Sequence, residues 1–141
     1  MTHLLNILAL IFLVVVNYSC HAPRIMQTVN DAQKLQANEQ LFIDRPLKTL
    51  LKEIGPEIKL VSVEGKRADG AISYIIFKFT DWEERKKYNL AGKTPLTIIV
   101  RIKERFEWNK PREEMFKWTR EDAKKYGSLT IASIGVVGET L

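Results

Sequence analysis

The chain has neither cysteine nor histidine after residue 21. Its one cysteine is Cys20, and its two histidines are His3 and His21. A fold built from the residues that follow has no disulfide and no zinc site made of Cys or His, so its stability must come from a hydrophobic core. The same absence removes cysteine nucleophiles, histidine general bases and Ser-His-Asp triads from that part of the chain.

The composition is that of one globular domain. Of 141 residues, 45% are hydrophobic and 28% are charged, and both fractions are ordinary for a folded protein. Lys and Arg outnumber Asp and Glu by 22 to 17, which gives a formal net charge of +5. This excess is spread along the chain, as expected for a solubilising surface. The alternative is a basic face for anionic lipid, envelope polysaccharide or an acidic protein.

An apolar stretch near the N-terminus predicts export. The thirteen positions from Leu4 to Val16 are apolar except for Asn6. This is too short for a transmembrane helix of about 20 residues, but it is typical of the hydrophobic region of a signal peptide. No Lys or Arg precedes Arg24, so the usual basic start of such a peptide is missing. A buried core helix is the alternative, and it would need a polar face that this stretch lacks.

The residues after this stretch resemble the lipobox of bacterial lipoproteins. Cys20 follows the hydrophobic region and is preceded by the small residue Ser19. In that family, signal peptidase II cuts before the cysteine, which then carries the lipid. The resemblance implies that Cys20 is lipidated and anchors the exported chain at a membrane of the bacterial cell envelope, facing the periplasm or the cell surface. Asn17 and Tyr18 depart from the pattern, which leaves cleavage after Ala22 by signal peptidase I as the alternative.

The rest of the chain divides into a tether and a domain. Residues 1–19 are predicted to be the signal peptide, and residues 20–40 the lipidated cysteine with a flexible tether, because they contain few large apolar side chains and no sustained helical period. Residues 41–141 are predicted to form a single globular domain, since regular apolar patterns begin there.

Apolar periodicity over residues 41–141 predicts an α+β domain. A helix is predicted to begin at Asp44 and end at Gly55, with one apolar stripe of Leu47, Leu50, Leu51 and Ile54. Shorter helices are predicted to begin near residue 80 and at Thr119. Strands are predicted over residues 58–63, 72–79, 96–102 and 128–137. The order α-β-β-α-β-α-β favours a four-stranded, mainly antiparallel sheet with helices packed on one face.

The sequence offers little catalytic chemistry. Adjacent acids occur at Glu83-Glu84 and Glu113-Glu114, but neighbouring residues on a helix or strand do not face a common substrate, so solvated surface is the better interpretation. Gly-rich stretches and acidic residues fit neither a phosphate-binding loop nor a calcium loop. We therefore predict no catalytic residues, no metal site and no cofactor.

The segment from Phe106 to Trp118 is the predicted interaction surface. It joins two secondary-structure elements and concentrates aromatic and cationic residues, which is typical of binding hot spots. The predicted contact residues are Trp108, Arg112, Met115, Phe116 and Trp118. The alternative is that the aromatic side chains fold back onto the core. No nucleic-acid partner is expected, because the chain is predicted to be exported.

These patterns predict a non-catalytic envelope lipoprotein. Its domain is expected to bind another envelope protein or an anionic envelope component, in addition to the membrane contact through Cys20. The alternative is a small carboxylate-dependent hydrolase or transferase of the cell envelope. A deep cleft that gathers several acids would favour the enzyme, whereas a shallow surface lined by Trp108, Met115 and Trp118 would favour binding.

Overall fold

Four strands pair antiparallel in their order along the chain. The computed structural model describes residues 22–65, 68–69 and 71–140. The strands are β1 (Leu60–Glu64), β2 (Tyr74–Lys78), β3 (Thr97–Ile102) and β4 (Ile131–Val137). They form one open sheet of order β1-β2-β3-β4, so β1 and β4 are its edges.

Short helices precede β1, and others lie between the later strands. They are α1 (Ala32–Ala37), α2 (Leu47–Leu51), α3 (Trp82–Leu90) and α4 (Arg120–Tyr126). Three 3-10 turns span Val29–Asp31, Glu39–Leu41 and Arg112–Glu114. From α2 onward the order is α-β-β-α-β-α-β, so the predicted α+β fold with its antiparallel sheet is confirmed. Helix α1 is an addition at the N-terminal side.

One face of the sheet carries the hydrophobic core. Phe77 pairs with Ile98, and Ile75 with Val100, and all four side chains are fully buried because alternate residues of a strand point to the same face. Helices α1, α2 and α4 pack against this face through Ala32, Leu35, Leu47, Leu50 and Tyr126. The buried residue of α3, Tyr88, lies outside this core cluster.

Residues 25–40 belong to the folded domain, which differs from the flexible tether predicted for residues 20–40. Met26, Ala32 and Leu35 are fully buried. The Met26 N–H donates to the Glu53 carbonyl (3.1 Å), and the Met26 carbonyl accepts from the Gly55 N–H (2.8 Å). The sequence shows no sustained period here because short 3-10 and α-helical turns follow one another, and each change of helix type shifts the phase of the buried side chains. Cys20 and the predicted signal peptide lie outside the described residues.

The same N-terminal residues cover the outer edge of β4. The Ile134 N–H donates to Glu39 Oε2 (3.4 Å), and the Val136 N–H donates to Gln36 Oε1 (3.3 Å). The backbone just before α2 adds two hydrogen bonds to Ile131, of 2.9 and 3.0 Å. An uncovered edge strand is a template for pairing with another chain, so residues 36–45 protect this side of the sheet.

Helix α2 is shorter than predicted, and both of its ends differ. Its N-cap position is Pro46, with no side-chain cap. Asp44 instead has a left-handed backbone, with φ of 63°, and its carboxylate pairs with Lys103. Gly55 does not have the positive φ expected of a helix-ending glycine. A Cβ at Gly55 would lie 2.7 Å from the Met26 carbonyl oxygen, so this glycine is required by close backbone approach.

Candidate protein-binding surface

The segment of residues 106–118 is attached to β1, one of the two edge strands of the sheet. It leaves β3, passes through the 3-10 turn Arg112–Glu114 and enters α4. The Val61 N–H of β1 donates to the Phe116 carbonyl (2.8 Å). Because β1 is an edge strand, this hydrogen bond satisfies a donor that faces away from β2 and fixes the position of Phe116 beside the sheet.

Two tryptophans of the segment stack on the core. The Trp108 ring lies 4.8 Å from that of Tyr126 and 6.5 Å from that of Trp118, with interplanar angles of 28° and 4°. The Trp108 Nε1–H donates to the Met115 carbonyl (3.1 Å). Trp118 meets Phe77 edge-on, with ring centroids 5.0 Å apart. Trp108 and Trp118 are both half-buried, so much of their surface is used in folding.

A buried ion pair fixes the segment to α4. The side chains of Lys110 and Asp122 are only 6% and 8% exposed, and Lys110 Nζ lies 2.6 Å from Asp122 Oδ2. Lys110 Nζ also donates to the Lys117 carbonyl and lies 5.1 Å from the centroid of the Trp108 ring. Asp122 in turn accepts from the Thr119 N–H (2.8 Å) and completes the capping box of α4. The segment is therefore joined to α4 by a buried ion pair.

Other apolar side chains of this region face solvent. Trp82 is 53% exposed, Phe116 is 45% exposed and Met115 is 38% exposed. The rings of Trp82 and Phe116 meet edge to face, with centroids 5.7 Å apart and an interplanar angle of 89°. We call these three residues the aromatic patch. An exposed apolar cluster with a polar rim is typical of an interaction site.

The structure divides the five predicted contact residues into two groups. Met115 and Phe116 lie in the aromatic patch, and Arg112 is exposed in the 3-10 turn just before them. Trp108 and Trp118 belong to the half-buried stack, as in the fold-back alternative. Binding through this segment stays a prediction, but its centre moves to residues 115 and 116.

Sequence reasoning missed Trp82. This residue opens α3 directly after its N-cap Asp81, in a helix whose other residues are mostly charged or polar. The available signal was the absence of any apolar stripe that would take a tryptophan at this position into the core. Its partner Phe116 is 34 positions further along the chain (116 − 82), so only the fold brings the two rings together.

The acidic pair Glu83-Glu84 takes part in local structure. Glu84 accepts from the Asp81 N–H (2.8 Å) in the capping box of α3 and forms an ion pair with Lys59 (2.7 Å). The hydrogen bond from Lys59, together with that from the Asp81 backbone, holds the pKa of the Glu84 carboxyl below its usual range. Glu83 pairs with Lys86 (2.7 Å). Glu113 and Glu114 are exposed.

Within the described ranges, no three His, Cys, Asp or Glu side chains form a group suited to a metal ion.

Comparison with known proteins does not assign the chain to a family. No family model matches the chain, and neither a curated protein nor a solved structure is significantly similar to it. In the part of the chain that the structure describes, no helix has the length and apolar character needed to cross a membrane. The candidate surface therefore rests on its own geometry.

Proposed function

We propose that this chain is a non-catalytic envelope lipoprotein whose α+β domain binds another envelope protein through the aromatic patch. The observation that carries this proposal is the exposed pair of Trp82 and Phe116. Tryptophan and other large aromatic side chains supply much of the binding energy of protein interfaces when a partner buries them. About half of each side chain remains exposed and could be buried by a partner.

The aromatic patch is held in place before any partner binds. Phe116 is fixed by the hydrogen bond from Val61, and the segment around it is fixed by the ion pair of Lys110 and Asp122. A preformed surface loses less conformational entropy on binding than a mobile loop does. The rigidity of this loop therefore favours a binding role for the side chains that it leaves exposed.

The charges around the patch favour a protein partner over an anionic polymer. Arg112 and Lys117 are exposed cations, but Glu113 and Glu114 are exposed in the same stretch. Two carboxylates beside the apolar centre would repel a polyanion. A protein surface can place complementary charges of both signs around a buried apolar centre.

Replacing Trp82 or Phe116 by alanine is expected to weaken partner capture without unfolding the domain. Truncation of a hot-spot aromatic residue costs more than about 1 kcal/mol of binding free energy. The measurement is affinity capture from the native envelope fraction, with the captured protein quantified for each variant. Thermal melting should change much less than it would for a core substitution, because about half of each side chain is already exposed.

Leu90 provides the matched control for this experiment. It lies at the end of the same helix as Trp82 and is 90% exposed, but it is not part of the aromatic patch. Leu90→Ala should leave capture unchanged. Equal capture by Trp82→Ala, Phe116→Ala and the unmodified chain would contradict the proposed surface.

The membrane anchor is a separate part of the proposal and depends on Cys20. Cys20→Ser is expected to move the protein out of the membrane fraction or to leave its signal peptide uncleaved. The diacylglycerol and N-acyl chains of a mature lipoprotein together anchor firmly, whereas one acyl chain gives only marginal binding. Cell fractionation of both forms measures the effect. An intact mass of the native protein that corresponds to an unmodified terminus at Pro23 would refute lipidation.

A further inference from the structure

A second surface feature lies between the end of α2 and the start of α4, and none of the residues of the aromatic patch lines it. It is a cleft with a volume of about 680 Å³. Its apolar lining includes Leu51, Ile54, Ile58 and Trp118. Arg24, Glu57 and Arg120 line the same cleft, and all three are exposed. The cleft thus combines an apolar floor with a charged rim.

The two arginines of the rim are not neutralised by the domain. Among the described residues, neither Arg24 nor Arg120 forms an ion pair, although cations elsewhere on the surface do. Glu57 is the carboxylate on this rim, so two guanidinium groups face one negative charge. A guanidinium group presents a planar fork of N–H donors that matches phosphate oxygens. The rim is therefore suited to a phosphate group.

The position of Arg24 in the chain places this cleft near the proposed anchor. Arg24 follows Cys20 by four residues, and four residues span at most about 14 Å, so a lipid on Cys20 would keep Arg24 close to the membrane. A lipid on Cys20 enters the bilayer, which brings Arg24 to the membrane surface. Because Arg120 lines the same cleft as Arg24, both arginines of the rim would lie near the lipid headgroups.

We infer that this cleft binds an anionic phospholipid headgroup of the membrane that holds the anchor. The inference rests on the anchor of the proposed function. Arg24 and Arg120 bind the phosphate, and the apolar floor packs against the glycerol and the first carbons of the acyl chains. Attraction of basic side chains to anionic lipid is short-ranged, and here the anchor supplies the required proximity.

Vesicle binding tests this inference on the chain that begins at residue 20 and carries Cys20→Ser, so that no acyl chain contributes. All helices and strands of the described residues lie between Val29 and Val137, so this chain contains all of them. Binding is measured by cosedimentation with vesicles of phosphatidylcholine and with vesicles of equal parts phosphatidylcholine and phosphatidylglycerol. Only the anionic vesicles should bind the protein. The double variant Arg24→Gln with Arg120→Gln should lower the partition coefficient about tenfold.

A second double variant removes the same charge elsewhere. Arg45 and Arg101 are exposed and do not line the cleft, so Arg45→Gln with Arg101→Gln should lower the partition coefficient less than about twofold. Equal losses in the two double variants would show general attraction of a basic protein and overturn the inference. Absence of vesicle binding, combined with loss of protein capture by the Arg24 and Arg120 variant, would assign the cleft to a protein partner and also overturn it.

The proposed protein-binding function fails or holds independently of this result. Trp82→Ala should lose protein capture and retain vesicle binding, because Trp82 does not line the cleft. Loss of the anchor itself is detected by fractionation of the Cys20→Ser protein in cells. Vesicle binding is measured with that substitution present throughout, so its outcome reports on the cleft alone.

Discussion

A chain that begins at residue 41 is expected to be far less stable than one that begins at residue 22. The shorter chain lacks Met26 and Leu35, which are fully buried in the core. Loss of one such side chain to alanine costs about 2–5 kcal/mol, whereas the whole stability of a small domain is about 5–15 kcal/mol. The shorter chain also removes the cover that Gln36 and Glu39 give to Val136 and Ile134 at the edge of β4. Urea denaturation followed by circular dichroism should show a large fall in the unfolding midpoint, or no cooperative transition.

Point substitutions in α1 separate the loss of core packing from the loss of chain length. Leu35→Ala should lower the free energy of unfolding by about 2–5 kcal/mol. Gln33→Ala is the matched control, because Gln33 is exposed on the same helix and surface substitutions usually change stability by less than about 0.5 kcal/mol. Equal unfolding midpoints for the chains beginning at residues 22 and 41 would show that residues 25–40 are a spacer after all.

Lys110→Ala is expected to destabilise the domain by about 3–5 kcal/mol, because removing one partner of a buried ion pair leaves the other charge uncompensated. The remaining carboxylate, Asp122, has a side chain that is only 8% exposed, so water can compensate its charge only in part. The substitution also removes the donor to the Lys117 carbonyl. Chemical denaturation measures the effect on the whole domain, and near-ultraviolet circular dichroism should report loosening of the stack around Trp108.

Two further variants distinguish this cause from a simple loss of charge. Lys117→Ala removes an exposed cation from the same segment and should change stability by less than about 0.5 kcal/mol. Lys110→Met with Asp122→Asn removes both charges, keeps similar volumes and should recover part of the loss. A Lys110→Ala domain as stable as the Lys117→Ala domain would contradict the burial of this pair.

Local patterns predicted the sheet and several element boundaries correctly. Ile98, Val100 and Ile102 alternate with residues of the other face, and all three are fully buried. Thr119 caps α4 with Asp122 as the third helical residue, as its capping-box pattern predicts. Such signals are readable because hydrogen bonding and side-chain direction within a strand or helix terminus depend on residues only a few positions apart.

The candidate site could be predicted only in part from the sequence, because its residues do not follow the spacing of a helix or a strand. In the segment of residues 106–118, aromatic side chains recur at intervals of two, eight and two positions, which fits neither a helix nor a strand. The sequence therefore indicated a concentration of aromatic residues but not which of them reach the core. In the structure, the rings of Trp108 and Trp118 pack toward the core, whereas Phe116 lies at the surface and contacts Trp82.

The sequence by itself thus determined the α+β class, the order of elements from α2 onward and the alternation that buries one face of the sheet, because each depends on contacts between near neighbours in the chain. Tertiary structure alone decided the role of residues 25–40 and the exposed part of the loop. These depend on the hydrogen bonds from β4 to Gln36 and Glu39 and from Val61 to Phe116. Such pairs are 55 to 100 positions apart (116 − 61 and 136 − 36). A pattern of neighbouring residues does not indicate which distant strand edge a segment will cover.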